Sequence, residues 1–294
     1  MVNVRKRKIG NAYYYYLEHS IKVGKKVEKK EKYLGKDLPE DIEKQKRLFL
    51  SGIYKEKWYG KFDVIKRNFS KEFGKLPPEI KKKYMENLSI KYTYNTNRIE
   101  GGTLSYKDTA RLLHDKISPS NKPTEDIKET ENHNKVFNEM LHCGKNISLA
   151  LVLEWHWEIF KDTKPDVAGK IRDYPIAIAG SKFEPPLPIE LNALLSDFFK
   201  WYNKEKNKYH PVELAALVHL KFVSIHPFGD GNGRISRLLM NYVLNSNGYP
   251  MLNIEYTNRS SYYNALERAQ VKKEDQIFVN HILKRYMKAY GKYL

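Results

Sequence analysis

The chain has one cysteine, Cys143, among its 294 residues. No intramolecular disulfide is available to it, so a reducing compartment is expected. Nothing around Cys143 suggests a nucleophile. No apolar run approaches the ~20 residues that a membrane-spanning helix needs. The basic N-terminus leads into tyrosines rather than into an apolar signal segment. A soluble, cytoplasmic protein with no membrane partner is expected. No histidine, cysteine and aspartate cluster has zinc spacing, and no segment repeats. Acidic residues are few: 35 Asp and Glu face 53 Lys and Arg, a net charge of +18. Such a surface favours nucleotides, nucleic acid or acidic proteins. The lysines are spread along most of the chain, which is equally the habit of a lysine-rich, heat-adapted proteome.

What is present is ample core material, 41% hydrophobic and 13% aromatic residues. The length suits one large domain or a core domain with a small appendage. Residues 1–36 stand apart. Aromatic and β-branched residues from Tyr13 to Val23 and from Val27 to Gly35, separated at Gly24, predict a small antiparallel sheet. This segment holds eleven basic residues against three acidic ones. A basic, tyrosine-bearing sheet could contact nucleic acid through phosphates and stacking, or pack its tyrosines on the core.

From about residue 39 the periodicity turns helical. Leu76-Pro77-Pro78-Glu79 restarts a helix. Further helices are predicted over 126–141, 149–160, 189–203, 212–225, 236–246, 260–270 and 275–293. The fold class expected is mainly α, with a small N-terminal antiparallel β-sheet.

The densest chemistry lies in His226-Pro-Phe-Gly-Asp-Gly-Asn-Gly-Arg-Ile-Ser-Arg237, followed by the apolar run Leu238-Leu239-Met240. That order reads as a loop entering a helix N-terminus. Such a terminus has unpaired N–H groups and a partial positive charge of roughly half a unit, so it attracts anions. Glycines let backbone approach a phosphate, and arginines supply bidentate donors. Asp230 could hold a magnesium ion bridging phosphate oxygens. His226 could take a proton from an attacking hydroxyl. Read as chemistry, this is a nucleotide phosphate site with its own base.

The stretch resembles the signature of the Fic (fido) family of nucleotidyltransferases, His-x-Phe-x-Asp/Glu-Gly-Asn-Gly-Arg-x-x-Arg. Every specified position is met at His226, Phe228, Asp230, Gly231, Asn232, Gly233, Arg234 and Arg237. Thr96-Asn-Arg-Ile-Glu100-Gly101 is similar to the family's inhibitory motif, in the class whose inhibitory helix precedes the core. The resemblance implies that Glu100 pairs with Arg237, which would otherwise bind the ATP γ-phosphate. One guanidinium cannot face both a carboxylate and a phosphate.

Residues 172–186 alternate around Ile176 and Ile178, then turn at Gly180, which predicts a short β-hairpin. It is similar to the family's flap, implying that Ile176, Ala177, Ile178 and Gly180 dock a target segment as an added strand. Tyr262-Tyr263 resembles a pair that lies near the adenine, although core packing suits these rings equally. His156, His210 and His219 read as structural.

The resemblance covers about residues 80–270 and implies a Fic-type helical core with a hairpin flap. It divides the chain into the basic β-meander 1–36, a helical region 37–130 with the inhibitory motif 96–101, the core 131–270, and a C-terminal helix 271–294. It implies transfer of AMP from ATP, with Mg²⁺, to a Ser, Thr or Tyr hydroxyl of an unknown target protein. His226 would be the base, Asp230 the metal ligand. The N–H groups of Gly231, Asn232 and Gly233, with the Asn232 side-chain amide, would stabilise the developing charge. Arg234 and Arg237 would bind the outer phosphates. The Doc branch, which transfers the γ-phosphate, carries Lys where Gly233 stands, so adenylylation is favoured. Removal of AMP, with Glu100 activating water, is the alternative nearest in chemistry. A nucleic-acid-associated regulator acting through the basic sheet is another. Relatives often form homodimers, and no interface is legible here.

Overall fold

We describe the chain from a computed structural model, which defines residues 2–23 and 26–294. It forms two compact units, residues 1–64 and 65–294.

The first unit opens with an antiparallel sheet in the order β1 (Asn3–Ile9), β2 (Ala12–Val23), β3 (Lys26–Gly35). The turn expected at Gly24 lies outside the described residues. Period-2 alternation divides its side chains between two faces. Leu17 and Ile21 on one face are buried. The opposite face carries Arg5, Arg7, Tyr14, Tyr16, Glu18, Glu31 and Tyr33 in register. Its cations are matched: Glu18 pairs with Arg5, Arg7 and Lys29, and Glu31 with Arg7 and Lys29. Three of the segment's eleven basic residues, Arg5, Arg7 and Lys29, are thus paired at close range on this face. Helix α1 (Ile42–Tyr54) and a π-helical stretch, Lys55–Tyr59, follow, and α2 (Gly60–Lys75) crosses into the second unit.

The second unit is helical: α3 (Pro78–Ile99), α4 (Tyr106–Leu113), α5 (Thr124–His142), α6 (Leu149–Phe160), α7 (Leu191–Glu205), α8 (Pro211–Ile225), α9 (Asn232–Ser246), α10 (Arg259–Lys272) and α11 (Asp275–Tyr290). Helix α8, PVELAALVHLKFVSI, is apolar nearly all round, which marks a central helix. Leu214, Val218, Phe222 and Ile225 are all buried. Pro211 sits at its first turn, where a missing N–H costs nothing. Helix α9 packs against it, and its Ile235, Leu238, Leu239 and Val243 are buried, each contributing about 2 kcal/mol by burial.

Two sequence expectations change. Helix α4 was not anticipated. Ser105 and Asp108 form a reciprocal capping box that starts it, a signal hidden among short polar residues. Helix α9 begins at Asn232 rather than near 236. Gly and Asn are weak helix formers, but Gly231 adopts φ +82° and turns the chain directly into the helix. Half of the signature is therefore helical.

Among the described residues no helix is long and apolar enough to cross a membrane.

Candidate nucleotide-transfer site

The site is built where α8 ends and α9 begins. His226 is the α8 C-cap, with φ +51° in the left-handed region. Glycine usually fills that place, and a β-carbon there costs about 1–2 kcal/mol. His226 Nδ1 lies 3.1 Å from the Val223 carbonyl. A carbonyl can only accept, so Nδ1 must carry the proton, leaving Nε2 with its lone pair. Burial lowers the His226 pKa from its ordinary value, and the Arg172 charge acts in the same direction. The Val223 carbonyl, Glu100 and Asp230 oppose them.

The loop after His226 is closed by Asn232. Its Oδ1 accepts from Phe228 N at 3.0 Å and its Nδ2 donates to Phe228 O at 2.8 Å. The Asn232 amide thus fastens the loop, using Oδ1 and one of the two Nδ2 hydrogens, while its backbone N–H stands at the helix terminus. Phe228 is fully buried and stacks on His156, with ring centroids 3.8 Å apart. His156 takes Gly169 N on Nδ1 at 2.8 Å, so Nε2 carries the proton and donates to Asp230 O at 3.0 Å. Burial pushes this imidazole down to about 4, so it is neutral. His219 is likewise buried, its Nε2 2.9 Å from Tyr262 OH, and His210 caps α8. All three serve the framework.

No side chain caps the N-terminus of α9. Gly231 N is held by Asp230 Oδ1 at 2.5 Å, while Ile235 N already bonds Gly231 O at 3.0 Å. Between them stand the first N–H groups of the helix, at Asn232, Gly233 and Arg234, which need an acceptor from outside the helix. A β-carbon at Gly231 would overlap the Phe160 ring.

Helix α3 supplies the opposing wall. Its 22 residues run to Ile99, so Thr96 and Glu100 share one face at i, i+4. Arg237 is 1% exposed. Its Nε donates to Thr96 Oγ1 at 2.7 Å, and Nη2 donates to Thr96 O at 3.1 Å and to Glu100 Oε1 at 2.6 Å. The pairing implied by the resemblance is formed, and the threonine of that motif holds the same guanidinium. A β-carbon on Gly233 would collide with the Glu100 carboxylate and crowd Arg237 Nη1. The absent side chain at 233 is therefore a condition of this pair. Tyr263 OH donates to Ile99 O at 3.3 Å and steadies the end of α3. Tyr262 is 1% exposed, so it packs rather than walls an open pocket.

The second signature arginine is also engaged. Arg234 pairs with Glu129 and, at 3.2 Å, with Asp230 Oδ2. Lys164 reaches Asp230 Oδ2 at 2.6 Å and Glu129 Oε1 at 2.8 Å. Burial works against ionisation of Asp230. Arg234, Lys164 and the Gly231 N–H overcome it and hold the carboxyl down to about 2. Neither Glu129 nor Lys164 was legible in the sequence, because they lie on or after other helices with no spacing signal. A cavity of about 200 Å³ opens here, lined in part by Glu100, Asp230, Arg234 and Lys164. Ligand pockets usually measure about 300–1,000 Å³.

Sequence reasoning also missed Arg172. It is 4% exposed. Its Nε donates to His226 O at 2.9 Å, Nη1 to Tyr174 O at 2.9 Å and Nη2 to Pro186 O at 2.7 Å. Its own N–H donates to Pro227 O at 2.9 Å. The predicted hairpin over 172–186 is an extended loop without strand pairing. Pro175, Pro185 and Pro186 lack the donors a ladder needs. Arg172 instead ties both ends of the loop to the backbone of His226. Ser181 N to Ile178 O, at 3.0 Å, makes the turn at Gly180, which has φ +75°. Ile176 and Ile178 are half-buried, while Ala177 and Gly180 are exposed. Replacing Arg172 with Lys should lose two of the three side-chain bonds. Cleavage by trypsin after Lys182, within the loop, should accelerate about tenfold. An unchanged cleavage rate would show that the loop is held by other means.

The arrangement can bind an anion at the α9 terminus and take a proton at His226 Nε2. Residues 146–244 match the family model described as Fic/DOC family. A protein adenylyltransferase Fic of Nematostella vectensis is 32% identical over 208 residues, 68% of this chain and 47% of that protein. One of Aedes aegypti is 36% identical over 186 residues, 61% of this chain and 37% of that protein. The chain thus spans less than half the length of these curated relatives. A Fic domain containing signaling protein from Bacteroides thetaiotaomicron superposes with TM-score 0.71 at 29% identity, covering 78% of this chain and 95% of that one. Fic-1 from C. elegans gives TM-score 0.72 at 26% identity, covering 86% and 75%. With the signature, the helical core and these likenesses in agreement, residues 146–244 are a domain of the Fic/DOC family.

Proposed function

We propose that the chain is a protein adenylyltransferase that moves AMP from ATP to a Ser, Thr or Tyr hydroxyl of a target protein and is held back by Glu100. One observation carries the reading. An imidazole whose Nδ1 is committed to Val223 O stands at the entrance of a loop that Asn232 closes onto an uncapped helix terminus. His226 Nε2 takes the proton of the target hydroxyl. The oxygen attacks the α-phosphorus, a new P–O bond forms, and the bond to pyrophosphate breaks. The N–H groups of Asn232 and Gly233 receive the charge that builds on the non-bridging oxygens. Arg234 and Arg237 serve the outer phosphates once they leave their carboxylates.

The donor set suits Mg²⁺. Among the described residues no three metal-ligating side chains cluster, and Mg²⁺ commonly uses one or two carboxylates plus substrate phosphates. Asp230 would hold it, and the ion would supply charge neutralisation between phosphates. The same carboxylate pairs with Lys164 and Arg234.

Glu100 acts by competition. While it holds Arg237, the γ-phosphate lacks its guanidinium. Because the same carboxylate lines the cavity with Asp230, a second reading is hydrolytic removal of AMP, with Glu100 activating water.

The test uses ATP labelled with ³²P at the α- or γ-position and the Glu100→Gly chain. Label should enter protein from the α-position only. Entry from the γ-position alone would overturn the assignment of the reaction.

A further inference from the structure

Outside the nucleotide site, a groove of about 700 Å³ runs along α7, the end of α8 and the α10–α11 junction, and it begins at the 172–186 loop. Phe183, Trp201 and Ile225 form part of its apolar surface. Ile225, which lines the groove, immediately precedes His226 in the chain. Leu187, 59% exposed, and Ile189, 88% exposed, follow the last loop residue lining it, Pro186. Large apolar side chains this open, next to a groove, mark a contact surface.

The groove's charge runs against that of the molecule. The chain carries +18, yet four carboxylates line this groove, Glu184, Glu190, Asp197 and Asp275, against Lys221 and Lys273. Lys221 and Asp275 cancel one another at 3.2 Å. Glu190 is used in part to accept from Leu187 N at 2.7 Å. Glu184 and Asp197 are exposed and have no ion-pair partner among the described residues. An acidic rim around an apolar floor on a basic protein selects against acidic partners and for basic ones.

We propose that this groove docks the target protein through a segment with an aliphatic or aromatic side chain flanked by lysine or arginine, close in sequence to the acceptor hydroxyl. The proposal rests on the adenylyltransferase reading and names its substrate class. The apolar side chain would seat against Trp201 and Phe183. The basic flanks would meet Asp197 and Glu184. The segment would continue over the 172–186 loop and present its hydroxyl to His226.

The test uses two fluorescein-labelled synthetic peptides around one tyrosine, alike except that a leucine is flanked by lysines in one and by glutamates in the other. Binding to the full chain is read by anisotropy, and α-³²P incorporation is read with the Glu100→Gly chain. The basic peptide should bind and be labelled about tenfold better than its acidic twin. Asp197→Lys should erase or reverse the preference. Equal binding of the twins, or a preference that survives Asp197→Lys, overturns the proposal. Preferential binding without label in peptide or chain leaves the docking surface standing and removes the transfer reading.

Discussion

Glu100→Gly should raise α-³²P incorporation from ATP by about 10–100-fold over the unsubstituted chain. The magnitude follows from what is removed. A hydrogen bond to a charged group contributes about 1.5–3 kcal/mol net, and each 1.4 kcal/mol is a factor of ten. In the proposed reaction Glu100 donates none of its own chemistry to transfer; it holds the guanidinium assigned to the γ-phosphate. The cost falls on the resting protein. Arg237, 1% exposed, would lose the Glu100 carboxylate and keep Thr96. Breaking a fully buried pair costs about 3–5 kcal/mol, and less is lost here because the Glu100 side chain is 25% exposed. The variant should therefore melt several degrees lower without nucleotide. Saturating ATP and Mg²⁺ should restore most of that, since a ligand at 100 times Kd adds about 2.7 kcal/mol. Differential scanning fluorimetry with and without ATP reads this directly. Equal incorporation by both chains, with equal melting, would end the autoinhibition account.

Adding His226→Ala to Glu100→Gly should abolish that gain, with a loss of about 10²–10⁴ in transfer rate. Nucleotide binding should survive, because the anion site belongs to α9 rather than to the imidazole. The separation is visible when ATP binding is measured beside label incorporation. The pH dependence has a definite sign. A base must be neutral to act, so the rate falls as pH drops through the His226 pKa. Burial sets that pKa below 6.5, aided by Arg172 and opposed by Val223 O, Glu100 and Asp230. The acid limb of the pH–rate profile should thus lie below pH 6.5. In the Glu100→Gly chain one opposing carboxylate is gone. Its limb should lie lower than that of a Glu100→Asp chain, which retains the charge. A limb above 6.5 in the Glu100→Gly chain would contradict the burial argument.

Much of the site could be read from residue order. The signature packs its anion-binding glycines, arginines, aspartate and histidine into one loop and one turn, where neighbours in sequence are neighbours in space. Helix α8 was legible because it is apolar nearly all round, and α3 because Pro77-Pro78 marks its start. Local polar signals failed where two conformations compete. The capping box of α4 and the left-handed Gly231 give little periodicity to detect, and the prolines of 172–186 turned an alternating pattern into a loop.

The sequence alone supplied the groups to which we assign the proposed chemistry: His226 as base, the α9 terminus as anion site, Asp230 as metal ligand and Glu100 as blocking carboxylate. Tertiary structure alone decided which groups are committed. It spent the Asn232 amide on Phe228, set Lys164 and Glu129 against Asp230 and Arg234, and used Arg172 to tie the 172–186 loop to His226. The reason is distance along the chain. Residues 4 apart, as Thr96 and Glu100 are, meet through helix geometry, whereas Glu129 and Arg234 are 105 apart and meet only because α5 and α9 pack together.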